Sequence, residues 1–279
     1  MKKITRRSFL AAAGLTAAAL ALTACGGSSS GTASSTASSA ASSEAASSSA
    51  AAGELTTVEA GKLTMATNAA FPPYEMTTDS GEFEGIDVET SQAIADKLGL
   101  ELQIDDMDFD AALLSVQQGK ADIVMAGVTV TDERKAVMDF SDSYATGIQS
   151  IIVPEGSDIA SPDDLAGKKI GTQRGTTGYI YCSDDFGDEN VVAYDDGLTA
   201  VQALNNGQVD AVVIDNAPAK EFVAANPGLV ILDTSYAEED YAIGMAKGSS
   251  LEAAVNAALE ELKADGTLQS IVDKYITAE

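Results

Sequence analysis

Apolar and polar positions alternate in a regular rhythm along the first half of the chain. Short apolar runs at Lys62–Thr67, 100–104 and 122–126 predict strands, because an almost continuous apolar run is typical of a strand buried on both faces. The amphipathic stretches at 86–98 and 109–118 predict helices, and each is followed by a glycine that ends it. This strand–helix order predicts a parallel sheet with helices on both faces.

The same rhythm resumes after about residue 148. Strands are predicted at 168–172, 191–194, 210–214, 228–232 and 241–246. Helices are predicted from a threonine cap at 176 and at 197–205, 250–263 and 267–275. Two similar α/β units favour a two-lobed molecule with a ligand between the lobes, at the carboxyl ends of the strands.

The N-terminal segment has the pattern of an export signal rather than of a folded domain. Four positive residues precede an apolar segment, 9–22, that is too short to span a bilayer comfortably. The tetrapeptide LTAC, which ends at Cys25, resembles the lipobox of bacterial lipoproteins, whose cysteine receives a diacylglyceryl group. An ordinary secretory signal is the alternative, and the pair Arg6-Arg7 fits either a twin-arginine signal or an arginine-rich Sec signal.

Residues 1–24 are therefore predicted to be a signal peptide, and residues 25–57 a lipidated Cys25 followed by a tether. The tether consists mostly of Ser, Ala, Gly and Thr, which bury too little apolar surface to offset the entropy of ordering the chain, so we expect it to be disordered. The expected location is extracytoplasmic, with the protein held at the cell membrane by its lipid anchor alone.

Composition narrows the function. The formal net charge of −27 over 279 residues argues against nucleic-acid binding, which needs a basic surface. The chain has no histidine, so Ser-His-Asp catalysis and most zinc sites are excluded, and Cys182 has no histidine as a base. Asp106, Asp108 and Asp110 have the spacing of a calcium loop, but Ala111 stands where that loop needs glycine. We expect no catalytic residue, no metal and no cofactor.

Segment 121–144, ADIVMAGVTVTDERKAVMDFSDSY, is the most informative motif. A buried strand opens onto small residues, where Gly127 lets a ligand approach the backbone and Thr129 offers a hydroxyl. Arg134 can hold a carboxylate with two parallel hydrogen bonds. Taken alone, Arg134 would more often be an ordinary surface residue.

Three further segments could contact a ligand. ATNAAFPPYE, at 66–75, presents Asn68 and Phe71 from a proline-fixed loop. GTQRGTTG, at 171–178, places free N–H groups at a helix start, where they attract an anion. Asp215 ends a buried strand, and its carboxylate needs a partner that a ligand ammonium could supply. Tyr74 is expected to pack as a hydrophobic plug.

Together these segments resemble the bacterial solute-binding proteins that deliver amino acids to ABC importers, over nearly all of residues 62–275. The resemblance implies an α/β, type II periplasmic-binding-protein fold, with two mostly parallel sheets flanked by helices and joined by two hinge strands. Lobe 1 would consist of residues 58–145 and 240–279, and lobe 2 of residues 146–239. The expected partners are a small-molecule amino acid and an ABC transporter permease, with no nucleic acid, and the protein is expected to be a monomer.

The resemblance also implies roles for individual residues. Arg134 would clamp the ligand α-carboxylate, Asp215 would meet the ammonium, and Asn68 would touch the far end of the ligand side chain. Asn68 favours a polar neutral ligand such as glutamine, and a basic ligand remains open. The expected ligand-binding residues are Asn68, Phe71, Phe109, Gly127, Thr129, Arg134, Gln173, Thr176, Thr177 and Asp215.

Two other functions occur on this fold. One is an enzyme of the dehydratase kind, which we do not expect because no pair of titratable groups beyond the ligand clamps suggests acid–base chemistry. The other is a sensor module for a membrane kinase or chemoreceptor. A lipid anchor without a transmembrane helix favours a free-standing transport component over the sensor.

Overall fold

Strands and helices alternate through residues 55–276, the part of the chain that the computed structural model describes. The predicted signal peptide, Cys25 and nearly all of the tether lie outside the described residues. The strands are β1 (Lys62–Thr67), β2 (Ala70–Phe71), β3 (Glu75–Thr77), β4 (Phe83–Glu84), β5 (Glu101–Asp106), β6 (Ile123–Val124), β7 (Met138–Phe140), β8 (Ala145–Pro154), β9 (Ile170–Gln173), β10 (Val191–Tyr194), β11 (Ala211–Asp215), β12 (Leu229–Ile231), β13 (Ala237–Tyr241) and β14 (Gly244–Ala246). The helices are α1 (Ile86–Leu98), α2 (Phe109–Gln117), α3 (Asp132–Val137), α4 (Thr177–Phe186), α5 (Gly197–Asn205), α6 (Asn216–Ala225), α7 (Glu252–Ala264) and α8 (Thr267–Tyr275), with 3₁₀ turns at Pro162–Leu165 and Asp188–Asn190.

The first sheet has the strand order β5-β1-β6-β14-β7. Its central strand, β1, runs parallel to both β5 and β6, as the alternating pattern predicts. Strand β14 comes from the far end of the chain and runs antiparallel to β6 and β7. The last five residues of β1 are buried, because helices and loops cover both faces of the sheet.

The second sheet has the order β10-β9-β11-β8-β12, and β13 also pairs with β8. Strand β9 is parallel to β10 and β11, whereas β8 is antiparallel to β11, β12 and β13. The sheets are therefore mixed: parallel pairing prevails around β1 and β9, and antiparallel pairing around β8 and β14. A small third sheet, β2-β3-β4, carries Phe71 and Glu75.

Strands β8 and β13 are the two segments that connect the sheets. They pair antiparallel from Ala145 opposite Tyr241 to Gln149 opposite Ala237. The apolar run at 241–246, predicted as one strand, is divided, since β13 ends at Tyr241 and β14 begins at Gly244. The division lets the chain leave the second sheet and enter the first, where Ala242 donates its N–H to the carbonyl of Val128.

Helix ends follow the local chemistry of the sequence. Helix α1 ends at Gly99, whose φ of 69° is the left-handed conformation common after helices. Helix α4 is capped by Thr176, whose hydroxyl accepts the N–H of Tyr179. Helix α6 is capped by Asp215, the last residue of β11. Among residues 55–276, no helix is both long and apolar enough to cross a membrane.

Candidate functional site

A cavity lies where the carboxyl ends of β1, β9 and β11 approach one another. Its wall includes all ten residues that the sequence predicts as ligand contacts. They are Asn68, Phe71, Phe109, Gly127, Thr129, Arg134, Gln173, Thr176, Thr177 and Asp215. Six further residues complete the wall: Glu75, Ala126, Gln149, Val213, Ile214 and Tyr241.

Aromatic side chains form the apolar part of the wall. Phe71 and Phe109 are both buried. The ring of Phe71 stacks on Tyr74 with 5.8 Å between centroids, and Tyr74 meets Tyr241 edge-on at 5.4 Å. Tyr74 thus packs in the core against Phe71, in agreement with the prediction that it is a hydrophobic plug. This support holds Phe71 in place against the cavity.

Arg134 lies in the first turn of α3 and extends from there into the cavity. Its Nη1 donates to the carbonyl of Thr129 at 2.7 Å, and its Nη2 donates to the carbonyl of Gly175 at 3.1 Å. The guanidinium carbon lies 5.4 Å from the centroid of the Phe109 ring. Burial lowers the pKa of Arg134, but an arginine remains charged at physiological pH. A guanidinium has five N–H donors, so these two bonds leave others free for a carboxylate.

Asp215 contributes negative charge from the second sheet. Its carboxylate accepts the N–H of Ile148 at 2.7 Å and the N–H of Ala217 at 3.0 Å, so it caps α6 and also lines the cavity. Burial raises the pKa of Asp215 to about 6, although the two backbone N–H groups oppose that rise. A carboxylate has about four acceptor positions, and the remaining ones can accept an ammonium.

Glu239 is a buried acid that organises several predicted contacts, and sequence reasoning missed it. Its Oε2 accepts the hydroxyl of Thr129 at 3.0 Å, the hydroxyl of Thr177 at 2.9 Å and the side-chain amide of Gln149 at 3.0 Å. The two hydroxyls therefore donate to Glu239 and keep only their lone pairs for a ligand. Glu239 lies in the polar stretch of β13, which the sequence marks as a crossing rather than as a buried strand.

The Thr176 hydroxyl is also committed to the protein. It donates to the carbonyl of Gln173 at 2.8 Å while it accepts the N–H of Tyr179 at 3.3 Å. Because the hydroxyls of Thr176 and Thr177 are both in use, the donors that this segment can offer to a ligand carboxylate are the backbone N–H groups at the start of α4.

Asn68 and Gln173 join the two sheets across the cavity. The Gln173 side-chain amide donates to Asn68 Oδ1 at 2.8 Å, and Asn68 Nδ2 donates to the carbonyl of Met107 at 3.0 Å. Asn68 therefore has both of its polar atoms engaged within the protein. Arg174, to which the sequence assigns no role, is exposed and pairs with Asp195 at the surface.

Glu75 is a fully buried carboxylate in the cavity wall, and none of the described residues donates a hydrogen bond to either of its oxygens. Burial raises the pKa of Glu75 well above its ordinary value, and the nearby carboxylate of Asp87 raises it further. An acid directly after the apolar FPPY run was the available sequence signal for this residue. The sequence predicts no role for Glu75, Asp87, Gln149 or Tyr241.

Comparison with known proteins places the chain in a family. Residues 63–278 match the model of the bacterial extracellular solute-binding proteins, family 3. The chain belongs to this family. The L-cystine-binding protein TcyJ of Escherichia coli (strain K12) is 33% identical to this solute-binding protein over 226 residues, which are 79% of this chain and 85% of TcyJ. The family consists of solute-binding proteins and not of enzymes, which answers the dehydratase alternative.

Solved structures agree with the fold of this solute-binding protein. An ancestral arginine-binding protein with bound glutamine is 41% identical, with a TM-score of 0.75 over 78% of this chain and 99% of that one. An ancestral arginine-binding protein with bound arginine is 42% identical, with a TM-score of 0.74 over 77% of this chain and 98% of that one. The predicted family and the predicted type II periplasmic-binding-protein fold are confirmed.

Proposed function

We propose that this solute-binding protein is the amino-acid receptor of an ABC importer and that the amino acid binds in the cavity described above. One observation carries the proposal: Arg134 and Asp215 line the same cavity. The carboxylate and ammonium of an amino acid have the complementary charges. The relatives support the proposal, because TcyJ is named for binding cystine and the two ancestral proteins hold glutamine and arginine.

The common part of the amino acid is held by charge and by backbone groups. Arg134 supplies free N–H donors to the α-carboxylate, together with N–H groups at the start of α4. Asp215 accepts the α-ammonium, and the carbonyl of Gly127 and the lone pairs of the Thr129 hydroxyl complete its set of acceptors. The rings of Phe71 and Phe109 cover the aliphatic stem.

The side chain of the ligand is basic, as in arginine or lysine. Glu75 supports this choice, because a buried carboxylate without a hydrogen-bond donor is unfavourable and a ligand cation removes that cost. The preference for a neutral ligand rests on Asn68, whose two polar atoms already bond to Met107 and Gln173. The buried carboxylate of Glu75 is therefore stronger evidence for a basic ligand than Asn68 is for a neutral one.

Binding closes two lobes, residues 58–145 with 240–279 and residues 146–239, around the ligand. The contacts between Asn68 and Gln173, and between Arg134 and Gly175, span the two groups of residues and support a closed arrangement. The antiparallel pair β8–β13 connects them and is the proposed hinge. A ligand that touches both lobes shifts the equilibrium to the closed state by its differential affinity.

The closed protein delivers its ligand to the permease of the transporter. We propose that it does so as a monomer, anchored to the outer face of the cell membrane through a lipid on Cys25. The diacylglyceryl anchor and the tether of about 30 residues are inferred from the sequence pattern alone.

A thermal-shift screen of the purified protein against the twenty common amino acids tests the proposal. Ligand at 100 times its Kd adds about 2.7 kcal/mol to the free energy of unfolding, which raises the melting temperature by several degrees. We expect arginine or lysine to give the largest shift and the same screen on Arg134→Ala to give none. If no amino acid raises the melting temperature, the proposed function is wrong.

A further inference from the structure

Two buried acids lie near the cavity: Glu75 is part of its wall, and Asp87 bonds to the wall residue Gly127. Glu75 and Asp87 are both completely inaccessible to solvent. Asp87 Oδ2 accepts the N–H of Gly127 at 3.0 Å and the hydroxyl of Tyr144 at 2.8 Å. The other oxygen of Asp87 and both oxygens of Glu75 receive no hydrogen bond from any donor in residues 55–276. Three buried carboxylate oxygens thus lack a hydrogen-bond donor within the described residues.

We propose that Asp87 is a specificity-determining residue of this site: Asp87 and Glu75 share one exchangeable proton, and the cationic side chain of a ligand takes its place. The inference rests on the proposed function and adds to it the means by which the cavity distinguishes a charged from a neutral side chain. Glu75 contacts the ligand, and Asp87 acts through Glu75.

The shared proton follows from the cost of burying like charges. Two ionised carboxylates in contact repel each other and lack donors, whereas a proton on one of them supplies the missing hydrogen bond. The N–H of Gly127 and the hydroxyl of Tyr144 both donate to Asp87 and stabilise its charged form, so the proton lies mainly on Glu75. The pKa values agree with this placement: burial raises the pKa of Asp87 to about 6, while that of Glu75 is raised well above its ordinary value.

Among residues 55–276, no lysine or arginine donates a hydrogen bond to the three unpartnered oxygens of the pair. The titratable or charged groups on the elements around it include Tyr74, Asp106, Tyr144, Asp215, Glu239, Tyr241 and Arg134, with Lys220 beside Tyr74 and Asp215. Arg134 donates to the carbonyls of Thr129 and Gly175, at the part of the cavity assigned to the ligand α-carboxylate. On the outer side of α1, Lys274 bonds to Glu89 at the surface. A cation for Glu75 therefore has to come with the ligand.

The exchange replaces one proton on the pair of acids with one cationic side chain, so the total charge at the site is unchanged. When a cationic side chain binds, Glu75 loses its proton to solvent, its carboxylate accepts the N–H groups of the cation, and no covalent bond other than O–H breaks. When a neutral amide side chain binds, the proton stays between Glu75 and Asp87, and a Glu75 oxygen accepts an N–H of the ligand amide. One cavity thus accepts both classes, and the affinity for the cation relative to the neutral side chain rises with pH.

Calorimetry on the full protein tests the exchange with L-arginine and L-lysine as cationic probes and L-glutamine as the neutral probe. Titrations at pH 5.5, 6.5, 7.5 and 8.5, in buffers of different ionisation enthalpy, give both the affinity and the number of protons released. We expect each cation to release about one proton more than glutamine does, and its affinity relative to that of glutamine to rise by up to about tenfold per pH unit while the pair is protonated. Glutamine places the same α-ammonium on Asp215, so it measures the protons that Asp215 releases near and below pH 6, and it should release none at pH 7.5 and 8.5.

Two variants separate the roles of the acids. In Asp87→Asn the amide oxygen can still accept from Gly127 and Tyr144, and the new N–H₂ can donate to an ionised Glu75. Arginine should then release no more protons than glutamine does, and the ratio of the two affinities should not change with pH. Glu75→Gln should lose the affinity for arginine and lysine by more than tenfold and keep that for glutamine. Circular dichroism checks that both variants fold, and the proton count of the unmodified protein decides the question if either does not.

Each result has a definite reading. Arginine binding with no proton release beyond that of glutamine, or an excess release that persists in Asp87→Asn, overturns the shared proton and leaves amino-acid binding standing. Binding of glutamine alone also overturns the exchange but not the receptor function. If none of the three probes binds, this inference falls, and the screen of all twenty amino acids decides separately whether the proposed function falls with it.

Discussion

Arg134 and Asp215 each form hydrogen bonds to the backbone in addition to lining the cavity. Arg134 bonds the carbonyls of Thr129 and Gly175, and Asp215 bonds the N–H groups of Ile148 and Ala217. These bonds fix the position of each charge before a ligand arrives, so little side-chain entropy is lost on binding. A variant at either residue therefore has to be judged on folding as well as on affinity.

Removing the guanidinium should weaken ligand binding strongly. We expect Arg134→Ala to reduce affinity by about 3 kcal/mol or more, roughly a hundredfold, because the buried ligand carboxylate is left without its charged donor. Isothermal titration calorimetry measures the change. Arg174→Ala is the matched control, since Arg174 is an exposed arginine paired with Asp195 at the surface. Unchanged affinity in a folded Arg134→Ala protein would contradict the assigned role.

The charge of Asp215 should matter more than its shape. Asp215→Asn keeps an oxygen that can accept from one backbone N–H group but removes the charge that faces the ligand ammonium. We expect affinity to fall by about 2 kcal/mol or more, since charge-assisted hydrogen bonds exceed neutral ones. Asp210→Asn serves as the control, because Asp210 is an exposed acid outside the cavity wall whose carboxylate accepts the N–H of Lys169. Equal affinities of the two variants would remove Asp215 from the site.

Among the elements, the β8–β13 pair combines connection and binding. β8 carries Gln149 and β13 carries Tyr241, and both line the cavity. β13 also carries Glu239, which accepts the side-chain amide of Gln149. Gly147 lies opposite Glu239 in this pair. A Cβ at Gly147 would overlap the ring of Tyr241, so only glycine lets the two strands carry Tyr241 at this position.

Filling that space should disturb both stability and binding. We expect Gly147→Ala to lower the free energy of unfolding by about 1–3 kcal/mol through overpacking, and to weaken ligand binding several-fold as Tyr241 moves. Denaturant unfolding and calorimetry measure the two effects. Thr146→Ala, on an exposed position of the same strand, should change both quantities little. A Gly147→Ala protein as stable and as tight-binding as the original would show that the ring relocates without cost.

For the whole molecule, the buried acids set an unusual dependence of stability on pH. Burial raises the pKa of Asp87 and of Asp215 to about 6, so the folded state binds more protons than the unfolded state between about pH 4 and pH 6. Stability therefore falls as pH rises through this range. Surface acids whose pKa is lowered by partners, such as Asp139 and Asp265, act in the opposite direction and only at lower pH.

Acidification from neutral pH should therefore stabilise the ligand-free protein. We expect the free energy of unfolding to rise by about 1 kcal/mol for each of Asp87 and Asp215 between pH 7.5 and pH 5, and to fall again below about pH 4. Relief of repulsion among the charges of a −27 chain acts in the same direction. Scanning calorimetry across this range measures the trend, and Asp87→Asn should flatten it. A melting temperature that declines steadily from pH 7.5 to pH 5 would contradict the expectation.

Sequence reasoning predicted much of the fold wherever a signal is local. The bounds of β1, α1, β10, α5 and α8 agree with the predicted segments within a residue or two, since each has an apolar period and a clear end. The pattern gave no prediction for α3, α6 or the length of β8, and it did not reveal that β8 runs antiparallel to three neighbours. Partners such as Gln149 and Ala237 are distant along the chain, and nothing in their immediate neighbours specifies the pairing.

The sequence by itself determined the elements and the charged and aromatic candidates, because periodicity, caps and side-chain chemistry are properties of short segments. Only the tertiary structure decided which groups meet. It buried Glu239 against the hydroxyls of Thr129 and Thr177, and it set Glu75 against Asp87 with no donor between them. The energy of a buried charge depends on what surrounds it in space, and the chain order does not contain that information.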